Sequence, residues 1–148
     1  MQNEPIPKNW IILYRKAYNM KVLVFGATDK PSRYAYLAST MLLDYGHEIV
    51  LLGRREATFF DQKILTGKPK IDDIHTITMY VNPRNQENFE DYLIGLNPKR
   101  IIFNPGTENI RLENKAHEAG IETERACTLV MLRTDQFEPS TSQTTDSQ

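Results

Sequence analysis

Apolar positions in this chain come as short runs separated by longer amphipathic stretches. The first run, Lys21-Val-Leu-Val-Phe25, closes on Gly26. A run of that length bounded by a turn residue predicts a strand covered on both faces. Glu48-Ile-Val-Leu-Leu52 repeats the signature and closes on Gly53. Between them, from Tyr34 to Tyr45, Leu37, Met41 and Tyr45 recur at i, i+4 and i+8 with Ala38 and Leu42 beside them. That spacing predicts an amphipathic helix, stopped by Gly46. Strand, helix and strand within about 30 residues make a βαβ unit.

The alternation continues. Thr76 to Val81 has period 2, with Ile77, Met79 and Val81 on one face and Thr76, Thr78 and Tyr80 on the other. A helix is predicted from about Asn85 to Leu96, carrying Phe89, Tyr92, Leu93 and Leu96 on one side and broken by Asn97-Pro98. Arg100 to Phe103 reads as a strand, and Asn104-Pro-Gly-Thr-Glu108 as a turn into a helix that ends at Gly120. Ile121 to Glu124 is a last strand, followed by an apolar segment from Ala126 to Leu132. The fold class is therefore α/β, a doubly wound, mostly parallel sheet of about five strands. Arg54 to Lys70 is long for a βα connection, and its Phe59-Phe60 and Ile64-Leu65 pairs imply that it packs onto the core.

Both ends differ from this middle. Residues 1–19 carry Trp10, Ile11, Ile12 and Leu13 but no element the series needs, so they are read either as lying upstream of a start at Met20 or as an extra docked helix. From Thr134 the composition turns to Ser, Thr, Gln, Asp and Glu, and residues 134–148 are expected to be a disordered tail. The folded domain is placed at residues 20–133. A chain of 148 residues suffices for one such core without disulfides or metals.

Charge and cysteine count narrow the partners. Eighteen basic and nineteen acidic residues leave a net charge of −1, which offers nothing to neutralise a nucleic-acid backbone. The single cysteine, Cys127, cannot close an internal disulfide, as expected in a reducing compartment. The longest early apolar run, Trp10 to Tyr14, falls far short of the roughly 20 residues that cross a bilayer. Arg15 and Lys16 follow it at once, which argues against a secretory signal. The expected location is the cytoplasm, without a membrane or nucleic-acid partner.

Ligands of open parallel sheets bind beyond the carboxyl ends of the strands. The first loop there, Gly26-Ala-Thr-Asp-Lys-Pro-Ser-Arg33, combines a glycine, hydroxyls, two cations and a helix N-terminus, a set able to cradle a pyrophosphate. Gly-x-Gly-x-x-Gly is absent, so a purely structural turn stays open. After the second strand, where an NAD site wants an acid, stand Gly53-Arg54-Arg55. Guanidinium groups at that point suit a phosphate on the ribose, as in NADP or the 3′-phosphate of coenzyme A, while a solvated basic turn is the plainer alternative.

Constellations for catalysis are missing. The chain has no Gly-x-Ser-x-Gly elbow, no Gly-x-x-x-x-Gly-Lys-Ser/Thr loop and no Tyr-x-x-x-Lys pair. His47, His75 and His117 show no metal spacing and are expected at the surface or in turns. Asp72-Asp73 and Glu90-Asp91 are neighbours whose side chains diverge, so solvated faces are expected for them.

Taken together, Gly26-Ala-Thr-Asp-Lys-Pro-Ser-Arg-Tyr34, Gly67, Val81-Asn82-Pro83, Pro105-Gly106-Thr107-Glu108, Gly120 and Cys127 resemble the stand-alone CoA-binding domain family over about three quarters of the chain. That family is similar to the Rossmann-like CoA-binding domain of succinyl-CoA synthetase and of ADP-forming acyl-CoA synthetases. The resemblance implies a Rossmann-like sheet that binds coenzyme A through its nucleotide half. Gly26, Ala27, Thr28, Lys30, Pro31 and Arg33 would face the phosphates. Gly53, Arg54 and Arg55 would meet the adenosine phosphate, and Asn82 and Pro83 would line the adenosine or pantetheine path. Many relatives carry a Val-Asn-Pro-like turn after the second strand, where this chain has Leu52-Gly53-Arg54-Arg55. Cys127 follows the last strand, either as a small buried hydrophobe or as a thiol within reach of the pantetheine thiol.

The reading is a small cytoplasmic protein that binds coenzyme A or acyl-CoA without chemistry of its own, with room for an unidentified protein partner. Two alternatives accompany it. One is an NADP-dependent oxidoreductase, motivated by Arg54-Arg55 but lacking a substrate domain and a proton donor. The other is a protein-interaction module that has lost its ligand.

Overall fold

The computed structural model describes residues 19–139. One sheet of seven strands runs through it in the order β3-β4-β2-β1-β5-β6-β7. The strands are β1 (Lys21–Phe25), β2 (Glu48–Leu52), β3 (Ala57–Phe59), β4 (Gln62–Leu65), β5 (Thr76–Met79), β6 (Arg100–Phe103) and β7 (Glu122–Arg125). Every neighbouring pair is parallel except β3 and β4. The helices are α1 (Tyr34–Asp44), α2 (Pro83–Gln86), α3 (Glu90–Gly95), α4 (Ile110–Glu118) and α5 (Thr128–Arg133).

The expectation of about five strands is corrected to seven. The long Arg54–Lys70 connection does pack onto the core, through Phe59 and Ile64, but as a β3–β4 hairpin that extends the sheet at the β2 edge. Its turn passes through Phe60 at φ 54, without the Asn-Gly signal that marks most tight hairpins. The helix expected over Asn85–Leu96 is also broken, by a 3₁₀ turn at Glu87–Phe89 between α2 and α3.

Burial on both faces explains the continuous apolar runs. Val22, Val24, Ile49, Leu51 and Ile102 point to one side, where α1 and α5 cover them with Ala35, Leu42, Met131 and Leu132. Leu23, Phe25, Leu52, Ile77, Met79, Ile101 and Phe103 point to the other, under Leu93, Leu112 and Ala116. On α1 the buried stripe is Ala35, Ala38, Ser39 and Leu42, whereas Leu37 and Tyr45 stay exposed. Small residues there let the helix axis approach the sheet closely. Crossovers from β1 and β5 thus leave to opposite faces, which makes the seam between these two strands the switch point.

The amino-terminal alternatives concern residues 1–19, of which 1–18 lie outside the described residues, as do residues 140–148 of the expected tail. Within that expected tail, Phe137 is buried beside the His47 ring at 5.2 Å and under the Arg100 guanidinium at 4.8 Å.

Candidate functional site

At the carboxyl end of β1 the chain turns through Gly26 at φ 104, and a Cβ there would stand 2.9 Å from the Tyr80 carbonyl carbon. Only glycine meets both conditions. Gly53 closes the neighbouring turn even more tightly, since its Cβ would lie 2.4 Å from the Ala27 carbonyl oxygen. The two glycines bring the exits of β1, β2 and β5 into mutual contact. They do so as packing devices.

Donors in the first loop divide into two groups. Gly26 and Ala27 both donate their N–H to the Leu52 carbonyl, at 2.9 and 3.0 Å, and so are occupied within the chain. Beyond them, Lys30 N–H donates to Thr28 Oγ1 at 3.2 Å, and Arg33 N–H to the Lys30 carbonyl at 3.1 Å. Among the described residues, the amides of Thr28, Asp29, Ser32, Tyr34 and Ala35 meet no acceptor. Arg33 is the N-cap of α1 and supplies no side-chain bond. The first turn of this eleven-residue helix therefore leaves the Tyr34 and Ala35 N–H groups without an acceptor among the described residues, beside this loop.

Cations gather at the same edge. Lys30, Arg33, Arg54 and Arg55 are exposed, and among the described residues none has a carboxylate within ion-pair distance. By contrast Arg100, Arg111, Lys115 and Arg125, further along the sheet, are all paired. Lys68, in the loop after β4, sits 5.4 Å above the Phe89 ring, and Arg84 on α2 is exposed. Unpaired positive charge with open amides is the chemistry of a phosphate-rich ligand.

The opposite wall is made by loops after β5 and β6, and most of the buried polar side chains there are bonded within the chain. Asn82 caps α2 by accepting from Asn85 N–H at 3.0 Å, with Pro83 in the first turn. Asn104, only 3% exposed, donates from Nδ2 to Thr78 Oγ1 and to the Met79 carbonyl, and accepts from Thr128 N–H, each at 2.8 Å. Thr78 and Thr128 share a 2.7 Å hydroxyl pair. This ties β5 and β6 to the start of α5, where Cys127 is the half-buried N-cap. Tyr80 stands beside them with a buried hydroxyl that makes no hydrogen bond of good geometry among the described residues, and burial pushes its phenol up to about 12 although the nearby Thr128 and Thr78 hydroxyls pull it down. Two open hollows lie elsewhere, along β7 and at the amino ends of the strands near Lys21 and Lys99. A diphosphate requires converging donors more than depth, so the switch point is the stronger site.

Two expectations about titratable groups are corrected. His47 is buried rather than superficial: Met20 N–H donates to its Nδ1 at 3.1 Å, and burial, with Arg100 and His75 nearby, lowers its pKa to about 4. Glu90 is not on a solvated face but 2% exposed, with Arg111 at 3.0 Å, Lys115 at 3.1 Å and Asn109 at 3.2 Å. Asp91 beside it is exposed, as expected. Adjacent residues on a helix face different ways, so the Glu90 carboxylate is buried against α4 while the exposed Asp91 reaches that helix only through Lys115 Nζ at 3.2 Å. Among the described residues no cluster of metal-ligating side chains occurs, and no helix is long and apolar enough to cross a membrane.

The structure gathers Thr28, Lys30, Pro31 and Arg33 on one loop, brings Gly53 against Ala27, and sets the Tyr80–Pro83 loop next to Gly26. Sequence patterning gives no functional signal at Tyr80, Gln86, Asn104 and Thr128. No local motif marks them, because their partners stand far away in sequence.

A doubly wound α/β domain whose switch point carries unpaired cations and open amides is the class these features define. A sequence profile of the CoA binding domain family matches residues 20–133, and the chain belongs to that family. The crystal structure of an uncharacterized protein is 44% identical, covering 80% of this chain and 98% of its own, with a TM-score of 0.79. A protein from Thermus thermophilus is 17% identical at a TM-score of 0.71, covering 89% of this chain and 100% of its own. A hypothetical protein from Pyrococcus horikoshii is 22% identical at 0.67, covering 90% and 98%. At such identities the last two show the fold alone. No curated protein matches the chain.

Proposed function

We propose that the protein binds coenzyme A or an acyl-CoA at the β1/β5 switch point, in the cytoplasm, without catalysis of its own. The observation that carries this reading is the coincidence of open amides at Thr28, Asp29, Ser32, Tyr34 and Ala35 with four unpaired cations, in a chain of the CoA binding domain family. Thr28, Lys30, Pro31 and Arg33 take the diphosphate. Gly53 gives the β2 turn its close approach, and Arg54 and Arg55 take the 3′-phosphate. With Gly26 and Ala27 amides engaged by Leu52, these two residues shape the loop and leave the phosphate bonds to those that follow.

Strand order supports an order along the ligand. Neighbouring strands stand roughly 4.8 Å apart. A ligand whose adenosine phosphate lies over β2 and whose diphosphate lies over β1 carries its pantetheine arm over β5 and β6, past Asn82 and Pro83, towards Cys127. In the test, thermal unfolding is followed with coenzyme A, dephospho-CoA, NADP and NADH. A ligand at 100 times its dissociation constant stabilises by about 2.7 kcal/mol. A rise with coenzyme A that NADP does not reproduce is the expected result. A rise with NADP alone overturns the reading in favour of the oxidoreductase.

A further inference from the structure

Gln86 is a polar side chain with no solvent exposure at all. Its amide is fully used. Nε2 donates to the Val81 carbonyl at 2.7 Å and to the Thr107 carbonyl at 2.8 Å, while Oε1 accepts from Asn109 Nδ2 at 2.9 Å. Val81 directly precedes Asn82-Pro83, Thr107 belongs to the loop after β6, and Asn109 caps α4 by accepting from Leu112 N–H at 3.2 Å. Asn109 Nδ2 also reaches Glu90 Oε2 at 3.2 Å, so the bond set runs on to the buried carboxylate. One side chain thus fixes the loop after β5 against the loop after β6.

A core needs none of this. An apolar residue at position 86 would fill the same volume, leaving the two carbonyls to be satisfied otherwise, whereas the amide sets the relative position of two ligand-side loops. We infer that Gln86 is a positioning residue for the pantetheine wall of the site: through Val81 and Thr107 it holds Asn82-Pro83 at the spacing the arm requires. This rests on the coenzyme A reading above. Gln86 touches no ligand itself.

The test compares coenzyme A with adenosine 3′,5′-bisphosphate, which carries the nucleotide half and no pantetheine, on the full chain. In Gln86→Met the donors are gone at similar volume. In Asn109→Ser the α4 cap is kept by the serine hydroxyl while the bond to Gln86 is lost. Affinity for coenzyme A is expected to fall about tenfold in Gln86→Met, which is about 1.4 kcal/mol, and by a smaller factor in Asn109→Ser. Affinity for the bisphosphate should stay within about twofold, because the β1 and β2 turns are untouched. Should Gln86→Met fail to fold, Asn109→Ser alone carries the comparison. Unchanged coenzyme A affinity in the folded variants overturns the inference, as does a parallel loss for both ligands, which is what general destabilisation produces. If the wild-type chain binds neither ligand, the functional reading has failed and the inference falls with it.

Discussion

A Cβ on residue 53 would stand 2.4 Å from the carbonyl oxygen of Ala27. Gly53 N–H meanwhile donates to the Leu65 carbonyl at 2.8 Å, so the β2 exit is held on both sides. Gly53→Ala must therefore displace the first loop or the hairpin. Overpacking of this kind typically costs about 1–3 kcal/mol. We expect a lower denaturation midpoint together with weaker coenzyme A binding, measured by chemical unfolding and by titration. An alanine variant as stable as wild type would show that the contact yields freely.

The proposed site gives Arg54 the 3′-phosphate and Arg33 the diphosphate, an assignment that two variants separate. Arg54→Ala should erase most of the preference for coenzyme A over dephospho-CoA, while Arg33→Ala weakens both about equally. Competition titrations with the two ligands read this directly. An exposed guanidinium contributes through screened attraction, so both losses should shrink as salt rises. Equal preference in wild type and Arg54→Ala would remove the 3′-phosphate from the β2 turn.

The proton economy of His47 gives a stability slope. Its folded-state pKa, about 4, lies below the ordinary value of 6.5. The unfolded chain therefore takes up a proton first as pH falls, and stability declines between about pH 6.5 and 4, by up to about 3 kcal/mol. His47→Gln keeps an acceptor for the Met20 N–H without being protonated. Its unfolding free energy should vary less across that window. A slope identical to wild type would mean that His47 is not the group responsible.

Glu90 acts with the same sign in a more acidic window. Burial alone would raise its carboxyl, but bonds from Arg111, Asn109 and Lys115 outweigh that and hold it below the usual carboxylate range. Its contribution is complete above about pH 4.3 and is lost as pH falls through its lower folded value. Glu90→Gln should cost about 1–3 kcal/mol at neutral pH and remove this acid component from the pH profile. A variant unchanged in both respects would make the α3–α4 ion cluster energetically idle.

Legibility in the sequence followed the range of the interactions. Lys21–Phe25 and Glu48–Leu52 were plain because burial on both faces leaves a continuous apolar run. The Ile77/Met79 and Thr78/Tyr80 faces were likewise readable, since alternation is local. The β3–β4 hairpin was not, because Ala57-Thr58-Phe59 and Gln62-Lys63-Ile64-Leu65 are short, partly polar and joined through Phe60-Asp61. At the site, the loop glycines and cations could be read from their order along the chain. Gln86, Asn104 and Glu90 could not, since their partners lie about twenty or more residues away and only the fold brings them together.

Calorimetric titration of the wild-type chain with coenzyme A, set beside dephospho-CoA and NADP, bears most directly on the central claim. Saturable binding of coenzyme A, weaker binding of dephospho-CoA and weaker still of NADP is the result this account predicts. No heat of binding from coenzyme A at millimolar concentration, or tighter binding of NADP, would contradict it.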